Sequence, residues 1–150
     1  MFASQADALG LTTGQAKELQ GRVDGYLSEL GGRQVAVNKI DLGGATVLLS
    51  LPGEKTARDV SANSQPGLVC PEYTFCAWSQ RFFTGDLYEM YQCRTWNIPW
   101  VNRGSWMNNQ TTGTIAFFMD EQKISRWNDR GALDQDEDAD WSWVWYVHNC

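Results

Sequence analysis

The chain has 150 residues, of which 43% are hydrophobic, and its formal net charge at pH 7 is −6. This length fits one ordinary domain, or one small domain with an added subdomain, and the apolar content is sufficient for a packed core. The acidic charge makes nucleic acid a poor partner, and no apolar run approaches the roughly 20 residues of a membrane-spanning helix. All eight tryptophans lie beyond residue 77, which is the first indication of two regions.

The cysteines predict disulfide bonds and export. There are four, Cys70, Cys76, Cys93 and Cys150, and His148 is the single histidine of the chain. A zinc site would favour a closer cysteine pair or several histidines, whereas disulfides persist in oxidising compartments. The first residues lack the basic and apolar segments of a signal peptide, so we expect a mature secreted chain whose leader has been removed. Four cysteines allow three connectivities, which the spacing leaves open.

Residues 1–60 are predicted to form a helix and then a β-hairpin. Thr12 and Gln15 have the spacing of a capping box at the start of the helix, and Gly31-Gly32 supply a left-handed stop at its end. Between these signals, apolar residues recur at three- and four-residue steps and define one buried face. They are Ala16, Leu19, Val23, Leu27 and Leu30.

Two strand-like runs, 33–42 and 45–53, follow the helix and are joined across Gly43-Gly44, a suitable hairpin turn. Their apolar residues are expected to form a sheet face beneath the helix. These are Val35, Val37, Ile40, Val47, Leu49 and Leu51. The Ser-, Asn- and Pro-containing stretch 61–68 is predicted to be a linker to a second region, 69–150.

Short aromatic and β-branched runs, separated by turn residues, predict that residues 69–150 form a β-sandwich or barrel. The candidate strands are 73–79, 86–91, 105–108, 113–119, 123–127 and 142–148. The acidic run "DQDEDAD", residues 134–140, is expected to be a solvated loop. In the last candidate strand, Trp141, Trp143 and Trp145 alternate, so they would share one face, either in the core or as a platform for a sugar or protein.

Three residues, Trp78, Phe83 and Gly85, have the aromatic-x4-aromatic-x-Gly spacing of a βγ-crystallin Greek-key corner. The glycine would adopt a backbone angle that side chains disfavour, while the aromatics cover the fold-over. Downstream, "GSWMNNQT" resembles the serine-containing strand of the same motif. The expected fold class is therefore α+β, a helix and β-hairpin unit followed by a βγ-crystallin-like Greek-key sandwich with disulfides.

Residues from about Val69 to Cys150 resemble a secreted actinobacterial family of peptidase inhibitors, of the Streptomyces metalloproteinase inhibitor type. The resemblance is carried by the Cys-x5-Cys spacing, the "FTGD" turn and "GSWMNNQT". It implies the pairs Cys70–Cys76 and Cys93–Cys150, with Cys70–Cys93 and Cys76–Cys150 as the rival connectivity. The first region looks like the N-terminal extension of larger members.

A cofactor is not expected. Many βγ-crystallin domains bind calcium through paired Asn/Asp residues followed by Ser/Thr and Ser, but here only Asn102 and Ser105 fit that pattern. Val101 and Trp106 replace two of the oxygen-bearing residues, so the calcium site should be degenerate. No catalytic residue is predicted either, because a single histidine beside paired cysteines offers no nucleophile-base pair.

The segment "RTWNIPWVNR" is the predicted binding surface, because a proline-containing loop would present its aromatic side chains more openly than a strand does. The predicted partner-binding residues are Trp96, Ile98, Pro99, Trp100 and Arg103. A thermolysin-like protease prefers bulky apolar side chains of this kind. The family's own reactive loop cannot be placed, because this chain lacks its second close cysteine pair.

We therefore expect a secreted, non-enzymatic binding protein that inhibits an extracellular protease or metalloprotease by occluding its cleft. The alternative is a structural or assembly subunit, with the chain itself as partner, or a module that binds cell-envelope glycans. A further hypothesis is that residues 1–60 are a cleaved pro-segment.

Overall fold

A computed structural model describes residues 2–60 and 70–150, so the predicted linker at 61–68 lies outside the described residues. The chain begins with a short helix α1 (Ala3–Ala8) and a longer helix α2 (Thr13–Leu30). Eleven strands in the described part follow in two antiparallel sheets, which together with the helices make an α+β fold.

The strands, in chain order, are β1 (Arg33–Ala36), β2 (Lys39–Asp41), β3 (Ala45–Leu48), β4 (Thr74–Gln80), β5 (Thr84–Met90), β6 (Thr95–Asn97), β7 (Arg103–Asn109), β8 (Phe117–Met119), β9 (Ser125–Asn128), β10 (Asp134–Asp140) and β11 (Tyr146–His148). The larger sheet has the order β1-β2-β3-β5-β4-β7-β10, and the smaller has the order β6-β11-β8-β9.

The predicted limits of α2 are confirmed. The Thr12 hydroxyl accepts from the Gln15 amide at 3.1 Å, and the Gln15 side chain accepts from the Thr12 amide at 3.0 Å. Gly31 ends the helix with a φ of 77°. Leu19 and Val23 are fully buried, so the predicted apolar face packs onto the core, as periodic spacing requires.

The two regions of the sequence share one sheet. Strand β3 pairs with β5 from Ala45 opposite Met90 to Leu48 opposite Leu87. The N-terminal strands thus extend the sheet formed by the tryptophan-rich region. Because strand pairing satisfies backbone groups on both partners, the two regions depend on one another for their hydrogen bonds.

The run 33–42, predicted as one strand, is instead the hairpin β1–β2 with a turn at Val37-Asn38. The Asn38 side chain stabilises this turn, because its amide donates to the carbonyl oxygens of Leu49 and Arg58, both at 2.9 Å. Val35 was expected in the buried face but is 38% exposed, because β1 is the edge strand of the larger sheet.

The acidic run was wrongly predicted as a loop, since it forms the edge strand β10 paired with β7. Its charge is partly neutralised, because Asp134 pairs with Arg130 at 2.7 Å and Asp138 pairs with Arg103 at 2.6 Å. Charged residues on an edge strand discourage pairing with other chains, so the acidic run protects the edge of the larger sheet.

The candidate strand 142–148 was also only partly correct. Trp141–Trp143 form a short 3-10 helix, which begins where the Asp140 carboxylate accepts from the Ser142 amide at 2.9 Å. The three tryptophans therefore share no strand face. Trp141 is fully buried, whereas Trp143 and Trp145 are 37% and 46% exposed.

Aromatic side chains from both sheets meet in one core. Phe118 of the smaller sheet lies 5.4 Å from Trp106 and 6.0 Å from Phe75 of the larger sheet, measured between ring centroids. Its other face stacks on Trp141 at 5.9 Å. Edge-to-face and stacked pairs at these distances add to the burial of apolar area and hold the two sheets together.

The β4–β5 connection contains the predicted corner residues. The rings of Trp78 and Phe83 make an edge-to-face contact at 5.1 Å, and Gly85 has a φ of 84°. The buried Ser105 hydroxyl accepts from the Phe83 amide at 2.9 Å and donates to the Gln80 carbonyl at 2.7 Å. One serine thus ties the fold-over to strand β7.

We predict that Gly85→Ala destabilises the protein more than Gly53→Ala, although both glycines have a φ of 84°. The backbone strain of about 1–2 kcal/mol is common to both variants. A Cβ at residue 85 would also collide with the side chains of Ser79 and Gln80, whereas residue 53 has open space. Overpacking should add about 1–3 kcal/mol, and urea denaturation of the two variants measures the difference. Equal losses would contradict a tight corner.

Two disulfides join Cys70 to Cys76 and Cys93 to Cys150, the connectivity that the resemblance implied. Their Cα atoms lie 5.8 Å and 5.5 Å apart, within the usual range. The first closes a loop that leads into β4. The second joins the segment after β5 to the last residue, which holds the end of β11 beside β6.

The two bridges should differ in their contribution to stability, because they span 6 and 57 residues. Loop-closure entropy predicts a loss of about 2 kcal/mol for the Cys70→Ser, Cys76→Ser double variant and about 4 kcal/mol for Cys93→Ser, Cys150→Ser. Denaturant titrations of the two double variants test the order. A larger loss from the short loop would show that strain or local packing outweighs chain entropy.

Candidate functional site

The predicted binding residues are mostly buried. Trp96, Ile98 and Trp100 are only 6%, 5% and 8% exposed, so the prediction that this segment presents them to solvent was wrong. Trp96 lies in β6, which pairs with β11, and its indole donates to the Gln92 carbonyl at 3.1 Å. Ile98 and Trp100 belong to the common core. These three buried side chains anchor the segment, and its exposed surface is formed by neighbouring residues.

Helix α2 explains the burial of Trp100. The Trp100 indole donates to the Tyr26 hydroxyl of α2 at 2.9 Å, and its ring lies between Tyr88 and Trp141 at 6.3 Å and 6.2 Å. A proline beside two tryptophans gave no indication that a helix 70 residues earlier in the sequence would contact them. The N-terminal region therefore shapes the segment that the sequence singled out.

Val101 is the exposed apolar residue of this segment, at 78% exposure. We call residues 98–103 the Val101 loop. Pro99 is half-buried, and Asn102 and Arg103 are exposed, so these three residues and Val101 form the accessible part. Nothing in the sequence indicated that Val101 would be exposed, and the sequence pointed to it only as a poor calcium ligand, because a lone valine in a loop carries no distinguishing pattern.

The Val101 loop is fixed on both sides of its exposed side chain. Before it, the Ile98 amide donates to the Trp145 carbonyl at 2.8 Å. After it, the Asn102 side chain donates to the Ser79 carbonyl at 2.7 Å, and the Asn102 carbonyl accepts from the Trp141 amide at 3.2 Å. These three hydrogen bonds restrict the backbone on either side of Val101.

A groove runs beside the loop. One part, about 340 Å³, lies between Glu29 of α2 and the segments 97–101 and 141–145. A second part, about 300 Å³, is lined by Arg22, Tyr26 and Asp86 and shares Pro99 and Trp100 with the first. The first part is lined mainly by apolar side chains, whereas the second is lined mainly by polar and charged ones.

Asp86 connects the elements that border this groove. Its carboxylate accepts from the Arg22 guanidinium at 2.6 Å, the Tyr26 hydroxyl at 2.5 Å and the Ser50 amide at 2.9 Å. Burial, together with the negative charge of Asp86, raises the pKa of Tyr26 far above its usual range. The tyrosine therefore stays protonated, donates to Asp86 and accepts from Trp100.

We predict that Arg22→Met lowers the free energy of unfolding by about 2–3 kcal/mol, because it leaves a mostly buried carboxylate without its cation. Tyr26 and Ser50 still donate to Asp86, which keeps the loss below that of a fully isolated charge. Arg126→Met is the matched control, since the Arg126 side chain is 58% exposed where it pairs with Asp120. Surface pairs contribute at most about 1 kcal/mol, so guanidinium denaturation should separate the two variants, and similar small losses would contradict this role of Arg22.

The weak calcium candidates are already engaged in protein contacts. Ser105 is fully buried and its hydroxyl makes the two corner hydrogen bonds, while the Asn102 amide nitrogen holds the Ser79 carbonyl. Elsewhere in the described residues, one cluster brings together three side chains of the kinds that bind metals: Cys93, His148 and Cys150. Both of its sulfurs are in a disulfide, so they are not thiolate ligands.

Comparison of the chain with protein-family models, with curated proteins and with solved structures found no match. Among residues 2–60 and 70–150, no helix combines the length and the apolar character that crossing a bilayer requires.

Proposed function

We propose that this chain is a secreted, non-enzymatic binding protein that inhibits an extracellular protease by occupying its cleft. The observation that carries the proposal is the Val101 loop, which holds one exposed apolar side chain on a backbone fixed by the contacts of Ile98 and Asn102. A protease cleft takes an extended segment with an apolar side chain. A loop whose backbone is already held in place loses little conformational entropy on binding.

Rigidity is what separates an inhibitor loop from a substrate loop. Trp100 anchors the loop through its ring contacts and its hydrogen bond to Tyr26, and Arg103 is held by Asp138 at 2.6 Å. The disulfide Cys93–Cys150 braces the start of the same segment. A fixed backbone resists the distortion that peptide cleavage requires, so the protease is blocked.

The fold supports the same proposal. We assign the β4–β5 fold-over and the serine of β7 to a βγ-crystallin-like Greek key, on the geometry of Trp78, Phe83, Gly85 and Ser105. The resemblance of residues 69–150 to the actinobacterial peptidase-inhibitor family agrees with it. Two disulfides support export to an oxidising compartment.

The test is a titration of thermolysin-like metalloproteases and of serine proteases with the purified chain and its Val101→Asp variant. We expect potent inhibition of at least one protease, and an inhibition constant that rises by at least about 30-fold in the variant, the size of an interface hot spot. Val35→Asp is the control, because Val35 is 38% exposed on the far edge strand β1. It should inhibit within about threefold of the unchanged protein.

Two outcomes would overturn the proposal. Equal weakening by Val35→Asp would remove the Val101 loop from the inhibitory surface. Full activity of every protease tested would favour the alternative of an assembly subunit or a glycan-binding module. Sedimentation over a concentration series and a pull-down with insoluble glycans then distinguish those two.

A further inference from the structure

A second cleft opens where the two sheets end side by side. Strand β10 is the edge of the larger sheet and β9 is the edge of the smaller one. The cleft between them has a volume of about 240 Å³. It is lined by three tryptophans, one phenylalanine, one alanine and two carboxylates: Trp106, Trp127, Trp143, Phe118, Ala139, Asp136 and Asp140.

The rim of the cleft is aromatic and accessible. Trp127 and Trp143 are 46% and 37% exposed, whereas Trp106 and Phe118 lie buried at its base. The Trp127 ring packs on Phe118 at 5.1 Å and on Trp106 at 5.9 Å, so its position is set by the core. Two large indoles left in contact with water beside a cavity are typical of a binding site.

The carboxylates of the cleft differ from the other aspartates of β10. Asp134 and Asp138 make ion pairs with arginines, whereas Asp136 and Asp140 make none in the described part of the chain. Asp136 lies opposite Trp106 in the β10–β7 ladder, which puts it on the core side of its strand. Hydrogen bonds from Ser142 lower the pKa of Asp140, so this carboxylate is ionised at neutral pH.

The lining selects a ligand that donates hydrogen bonds. Apart from the indole N–H groups, its polar side chains are carboxylates, which only accept when ionised. A sugar hydroxyl both donates and accepts hydrogen bonds, and these carboxylates offer no donor for its oxygen. A guanidinium only donates, carries the opposite charge, stacks on tryptophan and binds carboxylates through two parallel hydrogen bonds.

We propose that this cleft binds an arginine side chain of a polypeptide partner, between the indoles of Trp127 and Trp143 and the carboxylates of Asp136 and Asp140. The site lies on the sheet edges and is lined by none of the residues of the Val101 loop. It therefore adds a second contact beyond the proposed protease inhibition.

The experiment is a titration of the full chain with a capped pentapeptide that has arginine at its centre and glycine elsewhere. The same peptide with citrulline, a neutral isostere, is the matched probe. The indole N–H signals in a nitrogen-15 correlation spectrum report the site, once Trp127 and Trp143 are assigned. We expect these two signals to shift with the arginine peptide, and binding to be at least about tenfold weaker with citrulline.

Substitutions of the carboxylates give the second measurement. Asp136→Asn and Asp140→Asn should each weaken the arginine peptide by about threefold or more, since asparagine keeps the local hydrogen bonds and removes the charge. Glu137→Gln is the control, because it removes a charge from the same strand at an exposed residue that does not line the cleft. It should leave the affinity within about twofold.

Three results would overturn the inference. Equal binding of arginine and citrulline would assign the cleft to a neutral ligand. Equal weakening by Glu137→Gln would reduce the effect to the overall negative charge. The absence of any shift at Trp127 and Trp143 at millimolar peptide would leave the cleft without this ligand. None of these results bears on the protease titration, so the two proposals fail separately.

Discussion

The arrangement of the two regions depends on the hydrogen bonds that the buried Asp86 carboxylate accepts. This carboxylate lies in β5 and is nearly enclosed, so it must be matched by donors from elsewhere in the chain. Helix α2 supplies two of them, Arg22 and Tyr26, and the stretch after β3 supplies the Ser50 amide. Because Tyr26 also accepts from Trp100, one buried charge positions the helix, the sheet and the base of the Val101 loop together.

Local signals were the ones that could be predicted from the sequence. The capping box at Thr12 and Gln15, the stop at Gly31 and most strands of the second region are set by residues close in the chain. The two disulfides followed from the family resemblance. Tertiary choices could not be predicted in this way. The acidic run became a strand because β7 offered an edge, and because Arg103 of β7 and Arg130 of the preceding turn pair with its carboxylates. Neither the edge nor these partners is visible in the run itself.

Tertiary contacts also decided which residues of the candidate site are exposed, and the sequence did not show this. Trp96 and Trp100 were expected to be accessible because they flank a proline, yet a helix and a second sheet cover them. Val101, Trp127 and Trp143 became the accessible apolar groups for reasons of topology. An aromatic residue in a sequence indicates that its side chain packs against something, but only the fold decides whether it packs in the core or against a partner. Buried side chains that hold a loop in place are then easily mistaken for its exposed surface.

The pairing of β3 with β5 has a consequence for any processing of this chain. If the backbone were cut between residues 60 and 70, the N-terminal piece would still be held by the full β3–β5 ladder and by Asp86. Without that piece, residues 87–90 of β5 would lose their β3 partner and form an exposed sheet edge, which is a template for pairing with other chains. A nicked molecule would thus behave as a two-chain complex. Its N-terminal piece would prevent aggregation by covering the edge of β5.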